Sequence, residues 1–392
     1  MKEIVKYRLL SLIRYLGDAL FYPFFSLYLS SKGLGESAIG FILSITPIIS
    51  ILANPLYANL CKNVNTAKKT LSIITVIEAI IIITIAFTSN YYLLIVLTFL
   101  LAISGSSHYG LMDSVVAVYA DLNECSYSSI RMFGSVAYII GTAIGGYIIK
   151  WINYEGCFII AAGLFIISSI AYISLKKLQV TSAVNEKIKY TSLFKNKQFV
   201  LFLILYILLN GTIYASDSFY ALYLKTRGLD ETKYGLVYSY FVGFEVLTII
   251  ILNIFNKKNH YKDNSVLLLI IASLSFVTRT YINYINANII ITVISSALRG
   301  LGFGIILHIS FGFVVKLVGK NKATFAIMLM SLSQAIYVAL FDNIAGNIIE
   351  KSTFRNFYFI TLIISLLIVI YICFWAINYK TKTMIKMKGE KI

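Results

Sequence analysis

Apolar runs of about twenty residues, separated by short polar stretches, recur along the whole chain. They fall at roughly 8–29, 38–59, 70–89, 92–119, 127–149, 156–175, 199–222, 234–256, 265–284, 288–316, 323–346 and 356–377. A run of this length matches the hydrocarbon thickness of a bilayer when helical. Lipid offers no hydrogen-bond partners, so each run must satisfy its own backbone, which again predicts helix. The expectation is an all-α integral membrane protein with twelve transmembrane helices. The longest polar interruption, KKLQVTSAVNEKIKYTSLFKNKQ at 176–198, divides them. It predicts an N-terminal six-helix half over 1–175, a cytoplasmic linker over 176–198, and a C-terminal half over 199–392 with a basic tail.

Composition supports this class. Of the 392 residues, 59% are hydrophobic and only 13% charged, against roughly 25% charged in soluble domains. Mean hydropathy is +0.82. A water-exposed globule is excluded, and three prolines without any low-complexity tract exclude disordered and fibrous architectures. The net charge of +17 invites a nucleic-acid reading, but the basic residues sit between apolar runs rather than on a polar, aromatic face. Their distribution speaks to topology instead. With the N-terminus inside, cytoplasmic segments hold 23 of the 34 Lys and Arg residues and the opposite loops hold 7. This bias predicts a cell-membrane protein with both termini cytoplasmic. Cys61, Cys125, Cys157 and Cys373 lack metal-ligand or CxxC spacing and read as free thiols. No cleavable signal is expected, because the first apolar stretch is too long and holds Arg14 and Asp18.

Ten ionisable residues fall inside the expected spans: Arg14, Asp18, Glu78, Asp113, Arg131, Asp217, Glu245, Arg279, Arg299 and Asp342. Each costs about 2.5–3.5 kcal/mol at a helix centre, so ten facing lipid would cost more than the roughly 5–15 kcal/mol stability of a domain. They must face one another or a polar cavity. Asp113 and Arg131 are equally far from the turn between spans 4 and 5, which places them at matching depth. That pair reads as a solute site or as a simple clamp. Arg14 and Asp18, at i and i+4, share a helix face; they read as part of a site or as a self-neutralising pair. Arg279 and Arg299 reach similar depth from spans 9 and 10 and need Asp217, Glu245 or a substrate anion between them. His108 and His308 are proton relays or hydrogen-bonded core histidines. Glu78, flanked by isoleucines, is expected near the cytoplasmic end with loop lysines. Gly141 and Gly145 predict a close helix contact, and Gly300, Gly302 and Gly304 predict close helix packing or a bend. No catalytic triad, metal set or phosphate loop occurs, so neither an enzyme nor a cofactor is expected.

Short stretches carry a family resemblance. Phe21-Tyr22-Pro23-Phe24-Phe25-Ser26-Leu27-Tyr28-Leu29, Ile130-Arg131-Met132-Phe133-Gly134-Ser135 and Ala345-Gly346-Asn347 resemble the lactose permease and phenylpropionate permease group of the major facilitator superfamily. The resemblance implies that Asp113 and Arg131 bind sugar hydroxyls and that Tyr138 stacks on the ring. It also implies that Asp217, Glu245 and Arg279 are the charged residues of spans 7, 8 and 9. There are departures. The span 10 histidine and glutamate that serve proton coupling in the lactose permease correspond to Arg299 and Gly302. The span 11 lysine falls near Gln334, and the loop after span 2 reads Cys61-Lys62 where an aspartate is usual.

These readings predict a secondary transporter working by alternating access. The expected solute-binding residues are Asp113, Arg131, Tyr138, Asp18 and Arg279, with Glu245 and Asp217 carrying a coupling proton. Proton-linked import of a sugar, nucleoside or aromatic acid is one function class; proton-driven export of drugs or peptides is the other. The expected partners are a small solute, protons and the lipid bilayer, with no nucleic acid, and the chain is expected to be a monomer.

Overall fold

The computed structural model describes residues 2–61, 63–125, 127–178, 191–259 and 265–389. Most of the expected linker, 179–190, lies outside the described residues. Fifteen α-helices are described: α1 Glu3–Phe21, α2 Phe25–Ser31, α3 Glu36–Leu60, α4 Val64–Ala86, α5 Tyr91–Gly105, α6 His108–Leu122, α7 Tyr127–Ser174, α8 Thr191–Phe194, α9 Lys197–Ser218, α10 Tyr220–Thr226, α11 Glu231–Asn259, α12 Ser265–Tyr284, α13 Ile289–Val318, α14 Lys320–Lys351 and α15 Phe354–Gly389.

Ten helical stretches among the described residues are long and apolar enough to cross a membrane. Two features separate this number from the twelve read in the sequence. Spans 5 and 6 run together in α7, 48 residues long, whose backbone leaves helical geometry at Ile152 and at Asn153 (φ 60°, ψ 180°). Asparagine is among the few residues that tolerate a positive φ. Span 1 is divided instead. It runs as α1, tightens into a 3-10 turn at Tyr22–Phe24, and resumes as α2. Pro23 sits in that turn; it lacks the N–H that would continue the α-helical ladder.

Many outward side chains are large and apolar, with Ile80 59%, Ile170 63%, Ile370 65% and Phe374 62% exposed. Water would penalise such surfaces, whereas acyl chains solvate them.

The chain forms two compact units. The first comprises Met1–Asn185, Ser218–Val242 and Asp342–Glu350; the second comprises Glu186–Asp217, Gly243–Phe341 and Lys351–Ile392. In the first unit α1 packs along α7, and α7 also carries α4. Its core holds Tyr7, Leu10, Tyr15, Leu71, Met112, Ile130 and Tyr172. Gly141 and Gly145 make the expected close contact: a Cβ at Gly141 would lie 2.6 Å from that of Ala19, and one at Gly145 would lie 2.7 Å from Phe24. Two backbone approaches join segments distant in sequence. At Gly146 an added Cβ would lie 2.6 Å from Thr232 Cα, and at Gly346 it would lie 3.1 Å from the carbonyl carbon of Glu36. The second contact is fastened by Ser37 N–H donating to Glu350 Oε2 at 2.6 Å. In the second unit α12 packs between α13 and α15, around Phe202, Phe276, Phe313 and Trp375.

Candidate functional site

The second unit gathers four of the ten ionisable residues that fall inside the expected spans. Arg279 Nη1 donates to Asp217 Oδ1 at 3.0 Å, and Arg299 Nε donates to Asp217 Oδ2 at 2.7 Å. Arg299 Nη1 donates to Glu245 Oε2 at 2.6 Å. The result is an alternating chain, Arg279–Asp217–Arg299–Glu245, drawn from α9, α11, α12 and α13. Two cations meet two anions, so the group is neutral with every member ionised. The glycines of α13 help to assemble it. A Cβ at Gly304 would lie 2.8 Å from the Glu245 carbonyl oxygen, so only glycine lets α13 come this close to α11. Phe303 places its ring 4.3 Å from the Arg299 guanidinium carbon, a cation–π contact. Asp217 thus lies between Arg279 and Arg299, as one of the anions that the sequence offered to neutralise them.

Nearby in sequence, Asn210 on α9 donates to Gln334 on α14 at 2.8 Å, and Thr212 pairs with Tyr337 at 2.8 Å. Gln334 therefore has a definite partner at the position where the resemblance expects a lysine.

In the first unit Asp113 on α6 and Arg131 on α7 come together as their spacing predicts, with Nε and Oδ1 3.7 Å apart. Both side chains keep more than a third of their surface exposed. Arg131 also lies over the Tyr15 ring, 4.3 Å from its centroid. A loose, water-accessible pair with a ring beside it can exchange its mutual contact for hydroxyls or a carboxylate. A planar guanidinium offers five donors for that purpose. Tyr138, one of the residues expected to touch solute, is half-buried and lies 6.0 Å from Tyr238, ring centre to ring centre.

Asp18, also expected at the solute site, is sealed from solvent, with Arg14 Nη2 3.2 Å from its Oδ1. The same nitrogen reaches Glu78 Oε2 at 3.0 Å. Glu78 is therefore not a partner of loop lysines near the cytoplasmic end. It is fully buried and faces a cation from α1. The sequence could not show this, because the partners belong to different spans and meet only through packing. His108 accepts from Arg14 Nε at 2.9 Å and has the Tyr172 hydroxyl 2.9 Å away, as a hydrogen-bonded core histidine would. His308 is half-buried. Asp342 is 2% exposed, and no ion pair reaches it among the described residues. No group of three or more potential ligands that could hold a metal ion occurs among the described residues.

This fold has close counterparts among solved structures. The nucleoside transporter NupG aligns with 95–96% of the chain and 99–100% of its own at TM-score 0.81–0.84 and 15–16% identity across two structures. The POT family transporter PepTSo aligns with 97% of the chain and 98% of its own at TM-score 0.74 and 11% identity. At such identities the likeness concerns the fold alone. Sequence relatives are nearer. An uncharacterized transporter, YwbF, of Bacillus subtilis (strain 168) is 26% identical over 234 residues, and the maltose permease of Geobacillus stearothermophilus is 27% identical over 237. Those alignments take in 59% and 60% of this chain, and the chain spans 58% and 60% of the relatives' lengths. The match to one family description is longer than either. It runs through residues 15–360, and on it the chain belongs to the MFS_1 like family.

Proposed function

We propose that the protein is a secondary transporter of the cell membrane, importing a small polar solute together with protons by alternating access. Its termini lie in the cytoplasm and it works as a monomer. The observation that carries this reading is the pairing of charge inside membrane helices. The chain keeps ten ionisable groups in apolar spans, and the structure sets nine of them against opposite charges. Intramembrane charge at this density marks a solute or ion route.

Asp113, Arg131 and Tyr138 are the residues we assign to the solute, since Asp113 and Arg131 are the most open to water of the intramembrane ion pairs among the described residues. A bidentate guanidinium suits sugar or ribose hydroxyls, and an aromatic face suits a flat ring. The named functions of the neighbours, a nucleoside transporter and a maltose permease, support a hydroxyl-rich solute. Arg279 is 1% exposed and meets solute only if its cluster opens. Purified protein in proteoliposomes, given tritiated uridine or maltose under an imposed pH gradient, tests the reading. Uphill accumulation of either probe is the expected result. Accumulation only in the reverse vesicle orientation would make the protein an exporter, and equal uptake with the gradient collapsed would make it an uncoupled facilitator.

A further inference from the structure

The Arg14 cluster differs from the other charged groups in its sum. Arg14 Nη2 contacts Asp18 Oδ1 and Glu78 Oε2, while the Phe165 ring lies 3.8 Å from the guanidinium carbon. The side chains of Arg14, Asp18, Glu78 and His108 are at most 1% exposed. Arginine donates and never accepts, so His108 Nε2 carries a lone pair towards Arg14 Nε. The imidazole is then neutral, with its proton on Nδ1, which lies 3.8 Å from Glu78 Oε2. The remaining groups that face the two carboxyls are Tyr15 and Tyr22 from span 1, Tyr57 from α3, Tyr109 from α6, and Tyr138, Tyr172 and Arg131 from α7. Tyrosines are neutral at ordinary pH. Arg131 is already matched by Asp113.

Among the described residues, two carboxyls therefore share one cation. Fully ionised, the cluster would bury a net negative charge and hold two like charges around one nitrogen, which disfavours the doubly ionised state. One proton brings it to neutrality. The second-unit cluster, with two arginines for two carboxylates, needs none. Tyr109 on α6 lies within hydrogen-bond reach of Asp18, and neither Glu78 oxygen accepts a well-aligned hydrogen bond, so the two carboxyls are short of donors for full ionisation.

We infer that Asp18 and Glu78 share one exchangeable proton beside Arg14, and that this is the coupling proton of transport. The second clause rests on the proton-coupled reading above. The exchange is simple: an O–H bond breaks on one carboxyl and the proton passes to water on one side of the membrane. It reforms with a proton taken from water on the other. Glu245 and Asp217 then act as fixed members of a balanced ion-pair chain.

The test is infrared pH-difference spectroscopy on the full chain in lipid vesicles, which needs no solute. Wild type should show a carboxylic acid C=O band that disappears on alkalinisation. D18N and E78Q each leave one carboxylate for one guanidinium, so either alone should remove the band and still fold. D113N and D342N should retain it. Asp342, buried without a cation among the described residues, adds a carboxylic acid band of its own, so the comparison is read in a D342N background. There, a band that survives both D18N and E78Q, or no titrating band at all, overturns the proton site. The transport arm uses uridine and maltose. E78Q should exchange solute at near wild-type rate while gradient-driven accumulation falls to none above equilibrium. Undiminished accumulation in E78Q and D18N overturns the coupling role alone. Wild-type vesicles that concentrate neither probe overturn coupled transport of these solutes, and the infrared result then decides the proton site by itself.

Discussion

Arg299 Nε and Asp217 Oδ2 meet at 2.7 Å, and the same arginine turns its Nη1 to Glu245 at 2.6 Å. One guanidinium thus spans two carboxylates on different helices, and Arg279 closes the far side of Asp217 at 3.0 Å. Removing one member strands its partners in a low-dielectric interior. Asp217→Asn should therefore lower stability by about 3–5 kcal/mol, the usual effect of breaking a buried pair. Asp217→Asn combined with Arg279→Gln should be less harmful than Asp217→Asn alone, since the charge sum is restored. Thermal unfolding of the purified variants in detergent checks both. A double variant no more stable than the worse single one would mean that the charges are not coupled.

Asp113 and Arg131 behave differently because water reaches them. A pair 3.7 Å apart with both side chains over a third exposed contributes at most about 1 kcal/mol to stability after screening. Arg131→Lys should leave the melting temperature nearly unchanged. It should nevertheless abolish uridine or maltose binding, because an ammonium cannot reproduce the planar fork. Equilibrium binding to wild type and variant decides. Affinity equal to wild type would reduce the pair to a clamp between α6 and α7.

The membrane class and the positions of the helices were legible because length and apolarity alone determine a span. The Asp113–Arg131 pairing was legible too, since two helices joined by a short turn match depths residue by residue. Other contacts left no such trace. Glu78 and Arg14 lie 64 residues apart on α4 and α1, and nothing in local periodicity says which faces of those helices meet. The break in span 4, where α5 ends at Gly105 and α6 begins at His108, does carry a sequence mark. Gly105-Ser106-Ser107 is a run of small residues, helix-weakening in sum. The kink at Asn153 is likewise marked by a turn-favouring residue between two apolar runs.

Gly346 and Gly163 make a matched pair of substitutions. A Cβ at Gly346 would press on the Glu36 backbone, which cannot rotate away, whereas one at Gly163 has nothing within 4 Å. Gly346→Val should cost about 1–3 kcal/mol, as overpacking does, and Gly163→Val much less. Thermal unfolding measures the difference. Equal melting temperatures would show that α3 and α14 do not remain in this contact.

Asp342 offers the sharpest contrast with Asp217. Both are buried carboxyls, yet Asp217 has two arginines while Asp342 has no cation among the described residues and an unpartnered Oδ1. Ser218 is its polar neighbour. A carboxylate buried without a cation costs several kcal/mol more than an amide of the same shape, which carries no charge to desolvate. Asp342→Asn should accordingly be neutral or stabilising, by up to about 2 kcal/mol, where Asp217→Asn is damaging. The same variant separates Asp342 from the coupling role. With the exchangeable proton on Asp18 and Glu78, Asp342→Asn vesicles should still concentrate uridine or maltose under a pH gradient. A large drop in melting temperature would show that Asp342 is ionised and matched by a cation. Loss of uphill accumulation with exchange intact would move the coupling proton to Asp342.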